Sequence, residues 1–245
     1  MIKVATYNIK NKTAKKILRF KKAQLKCFYQ NVELINKANP DIIGLQEVTK
    51  EKYQWLKEVF CGKYELFGEF RGSKGFTNEA CPIMFKANKG YITDYGTFSI
   101  SEDINDIGRK YLGAFFPRIA TYVHYVDDFD EYTFINMHVD NSRVIQKKTF
   151  KENGPIEKIM SVCDFKNQIL LGDMNTPVNG VLKNFCVRNV LLDATAETGN
   201  TYNTLNKAFD HILYDDELQV LETKKYTNNG SDHSLIMTKI RPKRS

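Results

Sequence analysis

The chain reads as an α/β protein in which two sheets pack face to face with helices outside. Three observations predict this. Strand and helix patterns alternate over the first sixty residues or so; the middle of the chain is a run of strands; one more helix then precedes the last strands. A single doubly wound sheet fits less well, because the middle strands have no crossover helices between them, and parallel neighbours need them.

Each element has its own justification. Residues 2–9 carry the β propensity of a first strand. Leu18, Leu25, Phe28, Val32 and Ile35 recur at helical spacing and predict a helix over about 14–38 with one buried stripe. Asn39-Pro40 stops it. Residues 41–47 form a short apolar run around Ile42, Ile43 and Leu45, the pattern of a buried strand. Thr49 is placed to cap a second helix whose inner face would be Tyr53, Leu56, Val59 and Phe60. Strands are expected over 64–70, 82–86, 91–98, 119–126 and 132–139. Residues 140–153 read as a loop bearing Arg143, Lys147, Lys148 and Lys151. Gly154-Pro155 opens a helix with the stripe Ile156, Ile159, Met160 and Cys163, proline being suited to a first turn. Strands over 168–173, 209–214 and 234–240 complete the series.

No Pro/Gly/Ser-rich linker or repeat divides the 245 residues, so 1–245 is expected to be one domain. The net charge of +7 suits a polyanion such as nucleic acid, a phosphorylated small molecule or an anionic lipid surface; a surplus of solubilising lysines gives the same number. Five cysteines, odd in number, widely spaced and without Cys-x-x-Cys, argue against a zinc site and a disulfide framework. The first residues form a strand pattern rather than a signal peptide, and no apolar run reaches membrane-span length. The expectation is a soluble, cytoplasmic monomer with no implied protein partner.

The chemistry sits where strands hand over to loops. Asn8 and Glu47 follow apolar strand runs, where polar groups can face a crevice at the carboxyl ends. A glutamate there is an oxygen donor suited to magnesium; taken alone, Gln46-Glu47 reads first as a polar strand end capping the next helix. In Gly172-Asp173-Met174-Asn175 the glycine permits a tight turn, and on extended backbone Asp173 and Asn175 face the same side. An Asx-turn leaving a strand would look similar. Phe209-Asp210-His211-Ile212 and Ser231-Asp232-His233 could assemble an oriented imidazolium against a phosphate. Asn136-Met137-His138-Val139-Asp140-Asn141 places a further histidine at a strand end, whereas His124 lies mid-strand and is read as a satisfied hydrogen-bonder.

Taken together and in order, these pieces resemble the endonuclease/exonuclease/phosphatase superfamily across nearly the whole chain. The resemblance implies a four-layer α/β/β/α sandwich and magnesium-dependent phosphoester hydrolysis, with manganese as a substitute. It implies Glu47 as the principal metal ligand, helped by Asn8, with Asp232 supporting the metal side. It makes Asp173 the residue that activates or aligns water, Asn175 a holder of phosphate or water, and His138 a phosphate contact. Asp210 would orient His233 against the phosphate. Abasic-site endonucleases usually carry tyrosine at the position of His138, which turns the expectation away from that subgroup. Asn78-Glu79-Ala80-Cys81-Pro82-Ile83 resembles a segment that many bacterial members place just before a central strand, and Arg118-Ile119-Ala120-Thr121 resembles another, so Asn78, Glu79 and Arg118 become substrate-binding candidates, together with Asn141.

Basic residues interleave with aromatics near these segments. Lys10, Lys12, Lys15, Lys16 and Arg19 follow the first motif; Arg71 and Lys74 accompany Phe76; Arg109, Lys110 and Arg118 accompany Tyr111, Phe115 and Phe116. This pattern suits a phosphate backbone and unstacked bases, so a nuclease or DNA/RNA phosphodiesterase with nucleic acid as substrate is the leading expectation. A hydrolase of a phosphorylated small molecule or lipid headgroup is the alternative. A non-catalytic nucleic-acid-binding relative is the third, and the intact residue set argues against it.

Overall fold

The computed structural model describes residues 1–10, 17–73 and 77–243. In chain order the elements open with β1 (Ile2–Asn8), α1 (Ile17–Ala38), β2 (Ile42–Gln46), β3 (Val48–Thr49) and α2 (Lys50–Val59). There follow β4 (Tyr64–Phe67), β5 (Glu79–Ala80), β6 (Ile83–Lys86), β7 (Tyr91–Ser99), β8 (Ile119–Val126) and β9 (Glu131–His138). The remainder comprises α3 (Arg143–Thr149), α4 (Pro155–Val162), β10 (Gln168–Asp173), α5 (Gly180–Arg188), β11 (Leu191–Asp193), β12 (Asp210–Asp215), β13 (Leu218–Tyr226) and β14 (Leu235–Pro242).

Two mixed six-stranded sheets result, ordered β13-β14-β1-β2-β6-β4 and β11-β12-β10-β9-β8-β7, beside a small β3-β5 ribbon. Strand parity explains why they stack. Along β1, Val4 enters an inter-sheet core with Ile42, Phe134, Leu171, Ile212 and Ile236, while Ala5 and Tyr7 face the other way. Those outward residues meet Phe28, Val32 and Ile35 of α1 and Leu56 of α2. On the second sheet, Ile135, Met137, Leu170 and Leu213 face outward onto Ile156 and Ile159 of α4 and Leu182 and Phe185 of α5. Three apolar cores therefore separate four layers, α/β/β/α, as expected.

Two glycines let the backbones close. A side chain on Gly44 would overlap Leu171 and Asn136 of the opposing sheet, so its absence permits their close approach. Gly172 lies inside β10 at φ 141°, and a Cβ there would overlap the carbonyl oxygen of Met137. The expected tight turn at Gly172 is thus corrected: the glycine serves the packing of β10 on β9.

Other departures have physical reasons. The expected loop over 140–153 contains α3, a seven-residue helix too short to show a periodic stripe. Ile145 fastens it by packing on Tyr111 and Ala114, and Gln146 donates to the carbonyl oxygens of Asp140 and Asn175 at 3.0 Å each. Leu25 and Val59, expected to face inward, are 38% and 40% exposed. The expected start of the first helix (14–16), the side chain of Leu18, Lys12, Lys15, Lys16, the side chain of Arg19, Lys74 and Phe76 lie outside the described residues. The strand expected over 64–70 ends at Phe67. No described helix is long and apolar enough to cross a membrane.

Candidate active site

The parity that fills the inter-sheet core continues to the strand ends, where apolar residues give way to polar ones. Asn8 pairs with Gln46 in register on β1 and β2, and Asp173 pairs with His138 on one side and Asp210 on the other. These side chains meet at one end of the sandwich. A buried polar bridge ties the two sheets there: Gln46 Nε2 donates to Asn136 Oδ1 at 2.7 Å, and Asn136 Nδ2 donates to the carbonyl oxygens of Leu45, Cys81 and Pro82. Such a bridge fixes one sheet against the other below the site.

Asn8 is fully buried, and its Nδ2 donates both to Glu47 Oε1 at 3.2 Å and to Asp173 Oδ2 at 3.0 Å. One amide thus holds the two carboxylates together. Its Oδ1 accepts from the Lys10 amide at 2.9 Å. Glu47 occupies left-handed backbone, φ 56°, a conformation that a glutamate adopts only when its surroundings impose it.

Asp173 is the hub. Its Oδ1 accepts from the Asn175 amide at 3.0 Å, and its Oδ2 lies 3.7 Å from Nε2 of both His138 and His233. Burial raises its pKa to about 6, with Asp210 adding to the rise and His233 opposing it. The Nδ1 of His233 hydrogen-bonds Asp210 Oδ2 at 2.9 Å, and Tyr202 packs on the ring with centroids 4.8 Å apart. Burial works to lower the His233 pKa, but the charge and hydrogen bond of Asp210 outweigh it and raise it to about 9. His138 goes the other way: burial, then the charges of Arg118 and Arg71, push it well below the ordinary histidine value. The surroundings of the two imidazoles flanking this carboxylate therefore favour different protonation, the cation at His233 and the neutral ring at His138.

A cavity of about 530 Å³ opens on these groups, lined by Glu47, Asp173, Asn175, His138 and His233, with Lys10 and Asn141 also on its wall. One flank carries Arg71, Glu79, Phe116 and Arg118; the other carries Tyr202, Leu205 and Phe209. Arg71 is buried, pairs with Glu79 at 3.0 Å and stacks on Phe116. Arg118 approaches Asp140 at 3.4 Å.

Several expected details change. Asn175 is not extended but left-handed, φ 52°, and its Nδ2 donates to the Val139 carbonyl oxygen at 2.9 Å. It still reaches the cavity wall beside Asp173, by a turn rather than by alternation. Asn78 turns its Oδ1 to the Gly72 amide at 3.1 Å and is not part of the cavity lining. Asp232 pairs with Lys10 and receives Thr204 Oγ1 at 3.4 Å. Its Oδ1 is buried with no partner among the described residues.

Two sets of donors could hold a cation. Asp173, Asp210 and His233 place ligand-type atoms within 4.8 Å of one another, all buried. Within this group His233 Nδ1 is hydrogen-bonded to Asp210 Oδ2 at 2.9 Å, while Asp173 Oδ2 stands 3.7 Å from His233 Nε2. Glu47 on the cavity wall and the partnerless Oδ1 of Asp232, which is outside the cavity lining and whose Oδ2 pairs with Lys10, are further hard oxygen donors of the kind magnesium prefers.

Some site residues gave little signal in the sequence. Tyr202 and Leu205 belong to a polar-rich segment without strand or helix periodicity. Lys52 looks like any helix-surface lysine, although it is buried.

The model of the Endonuclease/Exonuclease/phosphatase family matches residues 5–233. Among solved structures, the mannosyl-6-phosphatase of Bacteroides thetaiotaomicron superposes with a TM-score of 0.82 at 21% identity, over 98% of this chain and 100% of that one. The human Nocturnin catalytic domain does so with a TM-score of 0.76 at 16% identity, over 99% and 94%. Truncated TDP2 of Caenorhabditis elegans gives 0.69 at 15%, over 97% and 96%. At these identities the likeness is one of fold. No curated protein matches the sequence significantly.

Proposed function

Because the chain belongs to the endonuclease/exonuclease/phosphatase family, we propose that it is a magnesium-dependent phosphoester hydrolase, with a nucleic-acid phosphodiester as its leading substrate. The observation that carries this reading is the meeting of Glu47, Asp173, His138 and His233 on one cavity wall. Asp173 is poised as general base: a carboxylate whose pKa is raised towards neutrality takes a proton from water more readily than an ordinary one. His233, held cationic by Asp210, donates from Nε2 to a phosphate oxygen as negative charge grows there. His138, neutral, contacts the phosphate from the other side, where Arg118 and Arg71 add positive charge. Asn8 keeps Glu47 and Asp173 in fixed relation, and Asn175 lies beside the water that Asp173 would activate. Glu47 and Asp232 would hold Mg²⁺, or Mn²⁺ in its place, which when bound supplies Lewis-acid stabilisation of the phosphate and leaving oxygens.

The nucleic-acid preference is supported by the net charge of +7 and by exposed apolar side chains close in sequence to Phe116 of the cavity wall. Leu112 and Phe115 are 95% and 83% exposed beside Phe116, while Tyr111 is buried against Ala114 and Ile145. A specific observation favours a second substrate. The cavity is bounded on both flanks by apolar rings and by two arginines, a shape that also suits a phosphorylated small molecule or headgroup. The Bacteroides neighbour, a mannosyl-6-phosphatase, acts within the same class. We read residues 1–245 as one catalytic domain working as a monomer in the cytoplasm; the free state of all five cysteines suits a reducing compartment.

A panel of single-stranded DNA, duplex DNA, RNA, a 5′-tyrosyl oligonucleotide, sphingomyelin, inositol phosphates and sugar phosphates, assayed with Mg²⁺ and with chelator, tests the reading. Magnesium-dependent turnover of an oligonucleotide is expected. Turnover confined to sugar or inositol phosphates moves the substrate to the second class, and undiminished turnover in chelator overturns the metal-dependent reading.

A further inference from the structure

Lys52 stands in the first turn of α2, five residues after Glu47, where its neighbour Glu51 is exposed, as is Lys57 in the last turn. Lys52 itself is only 5% exposed. Its ammonium donates to three backbone carbonyl oxygens: Ile9 at 3.0 Å, Lys10, and Glu47 at 3.4 Å. Three acceptors match the three N–H groups of an ammonium. All three carbonyls lie just beyond β1 or β2, in the short segments that leave these strands for the site. The backbone there is unusual at two of the three positions, φ 24° at Lys10 and φ 56° at Glu47. Such geometry persists only where surrounding bonds fix it. The strand ladder contributes one bond across this gap, from the Ile9 amide to the Gln46 carbonyl oxygen at 3.2 Å. Beside it and the side-chain bond from Asn8 to Glu47, the Lys52 ammonium joins the two exits through their backbone carbonyls.

We propose that Lys52 is a positioning residue: its ammonium ties the exits of β1 and β2 together through three carbonyls, and so sets where Asn8 and Glu47 present their side chains. The metal-binding half of this inference rests on the proposed function; the backbone half does not. Burial of the group is consistent with the assignment. Desolvation lowers its pKa to about 8 while Glu47 and Glu79 partly restore it, so the ammonium is held by local charge and carbonyls rather than by water. A lysine kept out of solvent merely to fill space would be replaceable by methionine without consequence at Glu47.

The test uses Lys52→Met, Lys52→Gln and, as control, Thr49→Ala. Thr49 Oγ1 accepts from the Lys52 amide at 3.4 Å as the cap of the same helix, so its loss weakens α2 but leaves the ammonium in place. Two readouts are taken: titration with Mn²⁺ alone, followed by electron paramagnetic resonance of the free ion, and amide hydrogen exchange of peptides spanning residues 7–10 and 45–48. Lys52→Met should weaken Mn²⁺ binding by about tenfold, the usual effect of losing a group that orients a ligand. It should also speed exchange in both peptides. Lys52→Gln, which keeps two N–H donors, should recover part of both effects, and Thr49→Ala should leave both within about twofold of the parent chain. Unchanged exchange in Lys52→Met overturns the proposal, as does a Thr49→Ala variant that matches it. A parent chain that does not bind Mn²⁺ refutes the metal reading of the proposed function, while the exchange arm still decides the role of Lys52.

Discussion

Asp210 and His211 are neighbours on β12, and each belongs to an aspartate–histidine pair, yet the two pairs face opposite sides of the sheet. Asp210 points between the sheets and bonds His233 Nδ1 at 2.9 Å. His211 points to the helical side and bonds Asp193 Oδ2 at 3.3 Å and Thr195 Oγ1 at 3.2 Å. Both imidazoles are buried, and both have raised pKa values despite burial because of their aspartates. They differ at the second ring nitrogen. His211 Nε2 is closed by the Thr176 carbonyl oxygen at 3.0 Å, whereas His233 Nε2 faces Asp173 at the cavity. An oriented, charged imidazole is therefore not by itself a site. It becomes one when its far edge opens onto space that a substrate can enter, and one step of strand parity decides which residue gets that opening.

Exchanging the aspartates tests the contrast most strongly. Asp210→Asn removes the charge that keeps His233 cationic, and kcat should fall by roughly 10²–10⁴, as for loss of a positioned proton-holding group. Asp193→Asn removes the same charge from the other pair and should leave kcat within about twofold, since nothing it touches reaches the cavity. Steady-state kinetics on both variants decide the matter; equal losses would erase the distinction.

The pH profile sharpens it. Activity should rise with ionisation of Asp173 near pH 6 and fall as His233 loses its proton near pH 9. In Asp210→Asn the alkaline limb should move to lower pH, and in Asp193→Asn it should stay. Stability follows the same groups. The folded pKa of His233 lies above the ordinary 6.5, so its pairing adds stability that is complete below that value and is lost as pH climbs through about 9. Chemical denaturation at pH 6 and pH 9.5 should show that loss in the parent chain and much less of it in Asp210→Asn.

A smaller effect is expected for the structural pair. Asp193→Asn should lower stability by on the order of 2 kcal/mol, the worth of a buried charged hydrogen bond. For a chain of this size that is about 4–8 °C in Tm by thermal denaturation. A Tm unchanged by this substitution would show that the His211 pair does not brace the sheet.

How much of this was legible in the sequence follows from the physics of each element. The two-sheet arrangement could be read because buried strands such as 42–46 and 168–173 carry short apolar runs and the middle strands come without helices. Asn8, His138 and Asp173 could be read because each ends a strand, Asp210 because it begins one, and strand ends are marked by the change from apolar to polar. What failed was short or two-faced. Helix α3 has too few turns for a stripe, β13 is an edge strand rich in lysine and glutamate, and α5 has only three buried positions in nine residues. The conformation of Asn175 was misread because alternation assumes extended backbone, and the chain turns left-handed there. Lys52 and Tyr202 were illegible for a different reason. Their roles come from segments remote in sequence: Lys52 reaches Ile9 and Lys10 from forty residues away, and Tyr202 meets His233 across the loop before β14.

The most direct test of the account is the Mg²⁺-dependent hydrolysis of bis-p-nitrophenyl phosphate by Asp173→Ala, measured beside the parent chain with folding checked by circular dichroism. Loss of turnover in a folded variant is the predicted result, because Asp173 is the group on which Asn8, His138 and His233 converge. Turnover at the parent rate would contradict it.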